Sequence, residues 1–187
     1  AGLQEGEQIE SSIWDSLKKR LPWLFVNLFT AIVAAATVNM FSDTIGKVVT
    51  LAAFMPIVAG MGGNTRTQTL TIVVRAIALG ELTSENAKSV LFKEIGVGIS
   101  TGLSIGIAVA FIGFIWVGNY VFGLVIGLAM LLNLTIATFA GFIVPITLKR
   151  MDIDPALASS VFVTTVTDVL GFFFFLGLAT LFIAYLI

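Results

Sequence analysis

Pro155 to Ile187 reads PALASSVFVTTVTDVLGFFFFLGLATLFIAYLI, an apolar stretch whose single formal charge is Asp168. A hydrocarbon core of about 30 Å is crossed by roughly 20 apolar residues in a helix, so this stretch reads as a membrane span. Working back along the chain, Tyr120 to Leu148 and Ile95 to Val117 read the same way, and Leu21 to Phe41, opened by Pro22 and Trp23, is a first span. Between them, Val48 to Leu79 is apolar but interrupted by Gly60-Met61-Gly62-Gly63 and a polar run beyond. Hydrophobic residues make up 58% of the 187 residues and charged ones 11%, a balance no water-soluble domain of this size can hide. The fold class is therefore all-α, an integral membrane helical bundle with five transmembrane helices.

The interrupted region counts as one crossing rather than two, because Lys and Arg concentrate in cytoplasmic loops. With one crossing, Lys18, Lys19, Arg20, Lys88, Lys93, Lys149 and Arg150 all fall inside and Lys47 alone outside. The expected location is the plasma (inner) membrane, with a cytoplasmic N-terminus. Ahead of the first span, residues 1–20 read as a cytoplasmic interfacial or connecting helix, with Ile9, Ile13 and Leu17 on one face and Glu7, Ser11, Asp15 and Lys18 on the other. Residues 21–187 form the transmembrane domain.

With no Cys and no His, thiolate chemistry, zinc sites and His-based acid–base catalysis are excluded, and no nucleophile–base pair suggests an enzyme. What remains is oxygen: carboxylates, hydroxyls, amides and carbonyls, which suit hard cations. Ten of the eleven acidic residues are expected in the tail or loops, and Asp168 is the exception. A carboxylate at membrane depth must face a cavity or a partner, and Ser160, Thr164 and Asp168 share one helical face at spacing i, i+4, i+8, close to the azimuth of Gly171. In the second span, Asn64, Gln68, Thr71 and Arg75 share a face beyond the glycines. Glycines here have two readings: close helix packing, or a local break that turns carbonyls toward a cavity. Asp168 likewise has alternatives, as glue paired with Arg66 or Arg75, or as part of a proton relay. Five helices make a small bundle, whereas a two-fold dimer brings two copies of Asp168 together, and a divalent cation between them cancels their repulsion. Magnesium suits so sparse a site better than calcium, because it keeps its waters and uses one or two carboxylates.

Pro56-Ile57-Val58-Ala59-Gly60-Met61-Gly62-Gly63-Asn64-Thr65, continuing to Gln68, Val74-Arg75 and Leu79-Gly80-Glu81, resembles the signature of the MgtE magnesium channels. Asp154-Pro155-Ala156-Leu157-Ala158-Ser159 and Val163-Thr164-Thr165-Val166-Thr167-Asp168 resemble the family's last span, and Leu21-Pro22-Trp23-Leu24 is similar to the start of its first. The resemblance implies a homodimeric magnesium channel with the pore on the two-fold axis, lined by spans two and five, and a hydrated ion held by Asp168 of each chain. It implies pore-lining positions at Ser160, Thr164 and Thr167 and, from span two, Gly60, Met61, Asn64 and Gln68, with backbone oxygens near Met61. Ser160 stands where some members have asparagine. Family members usually carry cytoplasmic sensor domains, of which Ala1 to Arg20 resembles only the end of the connecting helix; a pore without them is expected not to close in response to cytoplasmic magnesium. The expected partners are a second copy, lipid and magnesium ions, with no nucleic acid. The competing functions are a magnesium exchanger coupled to sodium or protons, and a non-conducting scaffold.

Overall fold

The computed structural model describes residues 12–83 and 85–187, with the backbone alone for residues 156–159. The part of the expected interfacial segment at Glu7, Ile9 and Ser11 lies outside the described residues. Six α-helices follow in order: α1 Ile13–Asn39, α2 Ser42–Lys47, α3 Thr50–Ala78, α4 Ala87–Val117, α5 Tyr120–Arg150 and α6 Pro155–Leu181, closed by a 3-10 turn at Ile183–Tyr185.

Helix α1 starts where Ser12 caps it, accepting from the Asp15 amide at 3.2 Å and donating to Asp15 Oδ2 at 2.7 Å. It then runs through Pro22, which cannot donate to the carbonyl four residues back, without interruption. Helix α3 ends in a Schellman turn: Gly80 takes φ 71°, and the Glu81 and Gly80 amides return to the carbonyls of Ala76 and Ile77. Asn119 caps α5 through its Oδ1 to the amides of Val121 and Phe122, at 2.8 and 3.2 Å, while its Nδ2 donates to the Tyr185 carbonyl at 2.9 Å.

Helix α5 is the centre of the bundle, packed by α4, α6 and α3, while α1 leans on α6. Phe54 and Val58 of α3, Phe122, Ile126 and Met130 of α5, and Phe175 and Leu176 of α6 form the main apolar cluster. Lipid tails are as apolar as leucine, so helices in such a bundle associate through close packing of small residues rather than through the hydrophobic effect. Gly106 and Gly127 show this between α4 and α5. A Cβ at Gly106 would come 2.7 Å from the Gly127 carbonyl oxygen, and one at Gly127 would come 2.9 Å from that of Gly106.

The helix ends sort to two ends of the bundle. At one, Thr44 and Thr180 share a hydrogen bond at 2.8 Å, near the Asn119–Tyr185 contact. At the other, Ile77, Leu82, Thr83, Ala87, Ile146, Lys149 and Arg150 line a cavity of about 250 Å³. This is the sorting that a single passage of α3 between the two ends requires. Helices α1, α4, α5 and α6 are long and apolar enough to cross a membrane. Ile99, Leu103, Ile107, Phe111 and Ile115 form an exposed apolar ridge along α4, spaced by four residues, and Phe25 and Phe29 do the same on α1.

Two expectations are corrected. Of the two readings of the glycines at residues 60–63, the local break is not formed: α3 runs through them as one long α-helix, as a single crossing expects. Away from water every backbone group needs a partner, and the helix supplies one at no cost in burial; Gly62, packed against Asn133, serves contact rather than unwinding. The acids are also not confined to tail and loops outside Asp168. Glu94 lies within α4, its side chain 6% exposed and 3.7 Å from Lys93 Nζ, whereas Asp15 stands in the helical stretch expected ahead of the first span and Asp43 in the short α2 that links α1 to α3.

Candidate ion-binding site

Helix α6 carries hydroxyls on nearly every turn before its carboxylate, and three of them bond back to their own helix. Thr164 donates to the Ser160 carbonyl at 2.6 Å, Thr165 to Val161 at 2.9 Å, and Thr167 to Thr164 at 3.0 Å. Such back-bonding fixes the hydroxyl proton and leaves the oxygen lone pairs free to accept. Thr167 uses this capacity. Its Oγ1 accepts from Arg66 Nη1 of α3 at 2.8 Å, and the same nitrogen lies 3.3 Å from Asp168 Oδ1.

Arg66 and Asp168 thus form an ion pair between α3 and α6, each near the middle of its helix and each partly open, with side chains 21% and 30% exposed. At 3.3 Å the contact is longer than the 2.7–2.9 Å usual for a charge-assisted bond, so the ion pair is loose while the Thr167 hydrogen bond is short. Of the two arginines considered as partners for Asp168, Arg66 is the one in place; Arg75 sits exposed in the last turn of α3. Ser160 and Thr164 are half-buried on α6 and Thr167 is buried.

The candidate residues of α3 lie elsewhere. Met61, Asn64 and Gln68, with Thr65 and Thr67, line an open cleft of about 510 Å³ whose other walls are Thr101 and Ile105 of α4 and Leu134 of α5. Gly60 faces open space, with no atom within 4 Å of where its Cβ would be. Within one chain, then, Arg66 reaches toward Asp168 while the Asn64–Gln68 row opens between α3 and α4, which scarcely touch.

Asn133 of α5 was not legible as part of this arrangement. Its side chain is buried and its Nδ2 donates to the Val58 carbonyl of α3 at 2.7 Å, while its Oδ1 has no hydrogen-bond partner among the described residues. Gly62 of α3 and Gly171 of α6 both pack against it. Gly62 lies one turn before Arg66 and Gly171 one turn after Asp168, so one carboxamide sets how far apart the helices stand beside the ion pair. The polar residue within the fourth span was the available signal, but only the tertiary contacts give it meaning.

These features define a multi-pass helical membrane protein with an intramembrane carboxylate. Residues 55–178 match the MgtE family, described as divalent cation transporters, and the chain belongs to that family. Among its relatives, the magnesium transporter MgtE of Bacillus subtilis is 38% identical over 165 residues, covering 88% of this chain and 37% of the relative. The magnesium transporter MgtE of Enterococcus faecalis is 30% identical over 181 residues, 97% of this chain and 40% of the relative. That of Thermus thermophilus is 32% identical over 163 residues, 87% and 36%. The chain therefore spans well under half the length of these relatives.

Proposed function

We propose that the chain forms the membrane pore of a magnesium channel, working as a homodimer with the pore on its two-fold axis and Asp168 of each chain holding a hydrated magnesium ion. The observation that carries this reading is the position of Asp168: a carboxylate midway along a helix flanked by apolar residues, partly open, with hydroxyl-bearing turns leading to it. Among the described residues no three His, Cys or carboxylate groups cluster, and α6 carries Asp168 as its one acid. A second copy doubles it, and two carboxylates around a dication that keeps its waters give a site weak enough to release the ion. The names of the relatives support magnesium as the ion.

In this reading α3 is the fifth crossing. It has 29 residues, about 43 Å at 1.5 Å per residue; Asn64, Thr65, Thr67 and Gln68 line the cleft, Arg66 reaches Asp168 and Thr69 packs on Gly141. Ser160, Thr164, Thr167, Gly60, Met61, Asn64 and Gln68 line the path, and residues 1–20 are cytoplasmic, ahead of the pore domain of residues 21–187 in a plasma membrane. Exchange of magnesium against sodium or protons is the second reading. Uptake into vesicles with sodium and pH equal on both sides tests between them. Uptake that follows the magnesium gradient and the membrane potential is expected of the channel; uptake that needs an opposing sodium or proton gradient would replace it with an exchanger.

A further inference from the structure

From the Arg66–Thr167–Asp168 geometry we infer that Arg66 is a tethered cation that competes with the transported ion for Asp168 and thereby excludes monovalent ions. The inference rests on the proposed role of Asp168 as the ion ligand and adds a regulator to that site.

Three observations carry it. Arg66 is permanently charged and approaches one carboxylate oxygen, Oδ1 at 3.3 Å; among the described residues no partner reaches Oδ2. The carboxylate is thus neutralised yet still open on one side. Second, the shorter contact of the same Nη1 goes to the neutral Thr167 Oγ1, at 2.8 Å. The guanidinium therefore keeps a hydrogen bond at membrane depth when it leaves Asp168, where an unpartnered arginine would be costly. Third, nothing crowds the guanidinium on the side of Gly63: even a Cβ there would make only ordinary contact with Nη2, at 3.7 Å.

Selectivity follows from charge. A monovalent ion that displaces the guanidinium replaces one unit charge by another, with no electrostatic gain. A dication at the same distance attracts the carboxylate twice as strongly. Arg66 thus sets a threshold that a divalent ion passes and a monovalent ion does not, and it raises the magnesium concentration needed to fill the site.

The test measures magnesium and sodium flux, against concentration, in vesicles carrying the native chain, Arg66→Gln, Arg66→Lys, Thr167→Val and Asp168→Asn, each first shown to be folded by size-exclusion profile. Arg66→Gln is expected to lower the half-saturating magnesium concentration about fivefold, the scale of a partly exposed ion pair, and to admit sodium. Arg66→Lys restores exclusion because it restores the charge. Thr167→Val, which removes the anchor without touching either charge, shifts half-saturation and so keeps the idea testable if Arg66→Gln does not fold. Native half-saturation and native sodium exclusion in Arg66→Gln, with magnesium flux lost in Asp168→Asn, would overturn the tethered cation and leave the ion ligand standing. Unaltered flux in Asp168→Asn would overturn both.

Discussion

Gly62 and Gly171, on α3 and α6, approach the same carboxamide from its two sides. A Cβ at Gly62 would fall 2.7 Å from Asn133 Nδ2, and one at Gly171 would fall 2.8 Å from Asn133 Oδ1. Neither glycine is there for backbone freedom, since both lie within regular helix. They are there because the third helix, α5, fills the gap with a side chain.

Gly171→Ala should therefore destabilise the bundle by about 1–3 kcal/mol, the usual cost of overpacking a filled site. The cost should largely vanish in an Asn133→Ala background, where the space is free. A double-mutant cycle on thermal unfolding in detergent reads this as a coupling of about 0.5–3 kcal/mol. Additive costs would mean that the two residues do not share the contact.

Gly60 and Gly62 should part company. Gly60→Ala adds a methyl in open space and, within a helix, gains roughly 0.5–1 kcal/mol from lost chain entropy in the unfolded state. Gly62→Ala meets Asn133 and should lower the unfolding midpoint. Equal effects would favour a role for the glycines as a local break over their role in packing.

Asn119 joins a helix start to the chain end, so its loss should be felt twice. Asn119→Ala removes the cap of α5, worth about 1 kcal/mol, and releases the Tyr185 carbonyl. Faster amide exchange at Val121, Phe122 and the final turn checks this; exchange confined to α5 would mean that Tyr185 holds without it.

The amino-acid sequence displays the long helices well because each is a largely apolar run about as long as a bilayer is thick; both ends of α5 and the start of α6 fall within two residues of where hydropathy puts them, and α6 stops at Leu181, six residues before the expected end. Helix α1 was harder: hydropathy begins at Leu21, but helical hydrogen bonding begins at Ile13, since charged residues leave membrane without leaving helix. The glycines at 60, 62 and 63 carry two readings in the sequence, because glycine signals both unwinding and close approach, and only a partner such as Asn133, met at Gly62, distinguishes them. Asp168 stood out as a lone charge. Its pairing with Arg66 was one of several possibilities, because positions 66 and 168 are joined by packing that no periodicity encodes. The row at Asn64 and Gln68 was correctly grouped on one face, yet which neighbour it faces depends on the splay of α4 from α3.

The most direct measurement is magnesium uptake by vesicles carrying the native chain, Asp168→Asn or Asp168→Ala, with each protein confirmed as a folded dimer before reconstitution. The account predicts that uptake in both variants falls to the level of protein-free vesicles. Native uptake in folded Asp168→Asn and Asp168→Ala would contradict it and leave Asp168 as a tie between helices.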